Sequence, residues 1–109
     1  MSGSSGNFSY ANRGTDISCE KLVFNTQLAS PKEDVISQIN IDDILDISFE
    51  LLNGQAVVYA RWKGQIAGGI ASALLPRLRT CIVEGTTYVA KVTQKQGGQV
   101  LLRVSPRIS

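Results

Sequence analysis

Tyr59, Arg61 and Lys63 stand at alternate positions of the segment Val57-Val58-Tyr59-Ala60-Arg61-Trp62-Lys63. In an extended chain successive side chains point to opposite faces, so Tyr59 and Arg61 share a face and Lys63 follows in the adjoining turn. An aromatic ring beside cations suits a single-stranded nucleic acid. Bases stack on the ring at about 1–3 kcal/mol per contact, and phosphates follow the charges. Lys91 and Arg103 take outward positions in two later extended segments and complete the candidate binding set. The other face carries Val58, Ala60 and Trp62, and turning those three inward avoids burying Arg61 unpaired. A slip of one residue would expose Trp62 as the stacking ring instead.

Other chemistry finds little footing. The chain has no histidine, which removes the usual neutral-pH acid and base and the ordinary Cys/His zinc spacings. No serine or cysteine sits in a nucleophile setting. Asp42-Asp43 has no third ligand beside it and reads as a solvated turn. Gly68-Gly69 suggests a bulge, a sharp barrel bend or a close backbone approach, and without a Walker-type surround the barrel bend is favoured over a phosphate cradle. No enzyme activity, metal or cofactor is implied. Cys19 and Cys81 are far apart in sequence and form no CxxC pair. They read as two small buried hydrophobes in a reducing compartment rather than as a disulfide, and the expected location is cytoplasmic.

The net charge of +2 hides a split. Residues 1–54 hold three basic and eight acidic side chains, whereas residues 55–109 hold eight basic ones against Glu84 alone. The second part has the balance of a polyanion binder, unless the fold interleaves the two parts and mixes the charges.

Elements must then position these residues. Residues 1–18 are rich in Ser, Gly and Asn, with isolated Phe8 and Tyr10, and read as a flexible tail. Met1 to Gly6 has no basic start and no apolar core, so it reads as a leader or a remnant of cloning rather than a secretory signal. Residues 19–106 form one small domain. Cys19 to Leu28 is strand-compatible. Ser30-Pro31-Lys32-Glu33 predicts a capped helix from Pro31 to Gln38. Ile44 to Leu51 alternates, with Leu45, Ile47, Phe49 and Leu51 on one side. Asn53-Gly54 predicts a tight hairpin into Ala56–Trp62, and Lys63-Gly64 turns again into Gln65–Ile70. A helix follows, capped by Ser72 or starting at Pro76, with Leu74, Leu78 and Ile82 as its stripe and Gly85 as its stop. Two strands joined at Gly97-Gly98 complete the chain. The order β-α-β-β-β-α-β-β predicts a mainly β fold, a five-to-six-stranded barrel with two short helices.

The run Ala56-Val57-Val58, then Gly64-Gln65-Ile66-Ala67-Gly68, the helix to Gly85, Tyr88-Val89-Ala90-Lys91-Val92 and the Gly97-Gly98 hairpin resembles the latter part of a HIRAN domain. That resemblance covers roughly the C-terminal half of the chain. It implies an OB-like barrel of a family that recognises DNA, notably single-stranded 3′ ends. Phe49-Glu50-Leu51-Leu52-Asn53 stands where that family carries an acidic-Pro-Asn-Asn signature, so no DNA-contacting residue is carried over there.

Two functions follow as expectations. One is a non-catalytic module binding single-stranded DNA or another polyanion through Tyr59, Arg61, Lys63, Lys91 and Arg103, a binding that Arg61→Glu should impair. The other is an adaptor for a protein partner or a homo-oligomer, with the N-terminal strand closing the barrel or pairing as an edge with another chain. The longest apolar runs are far too short for a membrane span.

Overall fold

The computed structural model describes residues 17–107. A 3₁₀ turn at Cys19–Lys21 leads into β1 (Phe24–Ala29), α1 (Glu33–Ile36), β2 (Ile44–Leu52), β3 (Gln55–Trp62), β4 (Gln65–Ile70), α2 (Leu75–Val83), β5 (Tyr88–Gln96) and β6 (Gln99–Pro106). This is the expected element order. The six strands form a closed antiparallel ring in the order β1-β4-β3-β2-β5-β6. Among the described residues no helix is long and apolar enough to cross a membrane.

β1 takes the first of the two places expected for it. Phe24 to Gln27 pair with β6, and Leu28 and Ala29 pair with β4, so β1 closes the ring between those strands. The meander β2-β3-β4 turns at Asn53-Gly54 and Lys63-Gly64, and all four of these residues adopt the positive φ of primed turns. Strand phase follows the alternation: Leu45, Val58, Ala60, Ala67, Ala90, Val92, Leu102 and Val104 point inward and are almost wholly buried. Trp62 shares the phase of Val58 and Ala60 and packs half-buried on the core.

Gly68 explains the paired glycines. The β3–β4 register shifts between Ala60 and Arg61, and a Cβ on Gly68 would sit 2.7 Å from both the Ala29 carbonyl oxygen and Leu28 Cγ. The backbone of β1 approaches so closely that no side chain fits.

Three local expectations are corrected. Cys19 to Leu22 is not strand. Its carbonyl at Cys19 accepts a 2.7 Å hydrogen bond from the buried Tyr88 hydroxyl, and Leu22 is fully buried, which holds this stretch in a turn. Ser30 does not cap α1. It has φ +47°, and the Lys32 amide donates to the Ala67 carbonyl at 2.8 Å, so the chain stays tied to β4 and the helix begins only at Glu33 and spans four residues. Finally, Cys19 and Cys81 are bonded as a disulfide across a Cα–Cα distance of 5.5 Å. Cys81 faces inward beside Leu78 on α2, and the turn at Cys19 lies against it, so two thiols 62 residues apart in sequence meet at one end of the ring. Of the expected flexible tail, residues 1–18, the first sixteen lie outside the described residues, while the Ile17 carbonyl accepts from Arg77 at 2.7 Å and 3.2 Å.

Candidate functional site

The five candidate residues lie on the outer face of the ring in two groups. Tyr59, Arg61 and Lys63 belong to β3 and its turn; Lys91 and Arg103 belong to β5 and β6. β2 runs between β3 and β5, and it is acidic. Asp46 is opposite Arg61 on one side and Val89 on the other. The ladder therefore sets carboxylates between the two groups of cations.

The first group is internally committed. Arg61 forms an ion pair with Glu50, donates from Nε to the Ser48 hydroxyl at 3.1 Å, and donates from Nη1 to the Gly64 carbonyl at 3.1 Å. Its guanidinium also lies 5.9 Å from the Tyr59 ring centroid. A residue fixed by a carboxylate, a hydroxyl and a carbonyl has little charge left for a phosphate. Lys63 rests its ammonium 4.7 Å from the Trp62 ring centroid, a cation–π contact that covers the alternative stacking ring.

The second group is more available. Lys91 and Arg103 stand directly opposite each other on neighbouring strands, with Asn25 of β1 opposite Arg103 in turn. Lys91 has a loose exposed contact with Asp42 at 3.5 Å, the kind of surface pair that contributes about 0–1 kcal/mol. Among the described residues Arg103 has no ion pair. It opens onto a groove of about 570 Å³ that also exposes Asn25, Gln27, Thr93 and Gln94. A register shift between Val92 and Gln94 builds this groove, because the extra residue turns Thr93 and Gln94 outward together. It also sends Lys95 back to the end of the ring, where Nζ donates to the Ile39 carbonyl at 2.8 Å.

Apart from Arg103, the groove residues Asn25, Gln27, Thr93 and Gln94 are not singled out as binding residues in the sequence. Asn25 and Gln27 alternate with Phe24 and Leu28, and the Thr93-Gln94 pair breaks the alternation of Tyr88, Ala90 and Val92. Those were the available signals.

The charge split resolves on this ladder. Arg61–Glu50, Lys91–Asp42 and Arg107–Asp46 each join a cation of the second half to a carboxylate of the first. The halves interleave and meet in these three pairs. Among the described residues no group of three or more potential metal ligands occurs. No family model, curated protein or solved structure matches this chain. The HIRAN resemblance therefore stands on the quoted residues alone.

Proposed function

We propose that this protein is a non-catalytic module that binds a polyanion, most concretely single-stranded DNA, along the groove between β1, β6 and β5. The observation that carries this reading is the juxtaposition of Lys91 and Arg103. Like charges placed directly opposite each other on a sheet are unfavourable unless an anion lies between or over them. Asn25, Gln27 and Gln94 add neutral hydrogen-bond donors and acceptors along the same groove, suited to sugar and phosphate oxygens. Tyr59 and Arg61 take a secondary part, since Glu50 already holds the guanidinium. The Cys19–Cys81 disulfide weighs against the cytoplasmic location expected from sequence, because such bonds persist in oxidising compartments.

The test is fluorescence anisotropy with a labelled single-stranded oligonucleotide at several salt concentrations. Binding should weaken with salt, with each of Arg103→Ala and Lys91→Ala lowering the log–log slope by about 0.7. Arg61→Ala should change it less than either. No binding at low salt, or binding by the Arg103→Ala and Lys91→Ala variants with the affinity and salt slope of the wild type, refutes the reading.

A further inference from the structure

We propose that the face where α2 meets the β2–β3 hairpin is a contact surface for a second copy of this chain, arranged about a two-fold axis. The hairpin runs past the end of the ring and carries its inward phase with it. Leu45 is fully buried at one end of β2, yet Leu51, in the same phase, is 74% exposed. Leu51 lies opposite Ala56, and Ala56 and Phe49 line an open groove of about 400 Å³ against Pro76 and Val83 of α2. Val83 is 70% exposed although it belongs to a helix whose other side is core. An inside surface thus continues where the ring no longer covers it. Exposed apolar surface concentrated in this way marks an interaction site rather than ordinary scatter.

Charge selects the occupant. Arg79 and Glu84 flank the same groove, and among the described residues neither forms an ion pair. A two-fold contact brings residue i of one copy to residue j of the other, and j to i. Arg79 then meets Glu84 of the second copy twice, around an apolar centre of Phe49, Leu51 and Val83. The patch supplies both its own apolar partner and its own counter-charges. Ile47 to Leu52 of β2 pair only with β3, and Gln55 to Val58 of β3 pair only with β2, so the hairpin also leaves strand edges open beside this patch. The surface is also separate from the Arg103 groove, so it does not depend on nucleic-acid binding.

The experiment is sedimentation velocity on the full oxidised chain from low micromolar to millimolar concentration. The weight-average mass should rise from one chain toward two. Leu51→Glu and Val83→Glu should each raise the dimer dissociation constant at least about tenfold, as the loss of a buried apolar interface contact does. Arg79→Glu alone and Glu84→Arg alone should each weaken association, and the double exchange should restore it, which a merely structural role for either residue would not produce. Leu51, Val83 and Glu84 are exposed and Arg79 is half-buried, and circular dichroism will confirm that each variant folds. A monomer at every concentration overturns the proposal, as does a dimer indifferent to Leu51→Glu, Val83→Glu and the charge exchange. A chain that becomes dimeric only after residues 1–16 are removed would assign the groove to that segment and overturn the proposal as stated.

Discussion

Removing the Cys19–Cys81 cross-link should cost this domain a large share of its stability. The bond joins residues 62 apart in sequence, so it excludes many extended conformations from the unfolded chain. Loop-closure entropy for that separation gives about 4 kcal/mol, between the ~3 kcal/mol of a short loop and the ~4.7 kcal/mol of a hundred-residue one. Most of the folded contacts at the site do not involve the sulfur atoms and should survive reduction. Leu22 remains buried, the Tyr88 hydroxyl still reaches the Cys19 carbonyl, and Arg77 still holds the Ile17 carbonyl. The loss therefore acts chiefly through the unfolded state, and a realised effect of about 2–4 kcal/mol is expected. For a domain of this size that lowers the thermal midpoint by roughly 10–25 °C. The measurement is urea and thermal unfolding of the wild type, oxidised and reduced, beside a Cys19→Ala/Cys81→Ala double variant. Reduction separates the cross-link from the packing that the double variant also removes. The urea m-value should rise without the cross-link, since the freed unfolded chain exposes more surface. A difference under about 1 kcal/mol between oxidised and reduced protein, with the oxidised mass verified, would refute the reasoning.

Two further outcomes test the packing and the buried phenol. Gly68→Ala should destabilise the fold by about 1–3 kcal/mol, because its Cβ would meet the backbone of β1, whereas Gly69→Ala, with its nearest neighbour at 3.7 Å, should cost much less; chemical denaturation of the pair decides it. Tyr88 has its pKa raised above 10.0, chiefly by burial, with Arg77 opposing and Glu20 adding to the rise. The neutral phenol is favoured in the fold, so its contribution is fully present below pH 10 and is lost as pH climbs through the raised value, and Tyr88→Phe should flatten that alkaline decline in a circular-dichroism titration.

The parts of the fold legible in the sequence were those decided by neighbours a few residues apart. Asn53-Gly54 and Lys63-Gly64 fixed two hairpins because each turn needs positive φ at both centres. The apolar trio Val58, Ala60 and Trp62 fixed the phase of β3, since the alternative phase would have buried Arg61. Illegible were the features that depend on distant partners. Nothing near Cys19 announces Cys81, and no local rule places the Lys32 amide on the Ala67 carbonyl, which delayed α1. The candidate site shares this division. Outward phase was readable for all five residues. Their sorting into two groups was not, because it depends on β2 lying between β3 and β5 in the ring.

That placement of β2 changes what the charge asymmetry means. A chain with an acidic half and a basic half suggests a molecule with two electrostatic faces. Antiparallel closure works against this, because it alternates strands from the two halves around the ring: β2 comes between β3 and β5, and β1 between β4 and β6. Asp46 and Glu50 therefore pair with Arg107 and Arg61, and with Lys91–Asp42 this matches three of the eight cations of residues 55–109 among the described residues. The binding potential lies in what closure leaves unmatched. On one side this is Arg103, which faces a second cation, Lys91, held only by a loose exposed contact with Asp42. At the hairpin end it is Arg79 and Glu84, which line one groove with Phe49, Ala56 and Val83 and form no ion pair among the described residues. The first remainder calls for an anion, and the second is satisfied by its own copy. Neither follows from net charge; both follow from the order of strands in a closed ring.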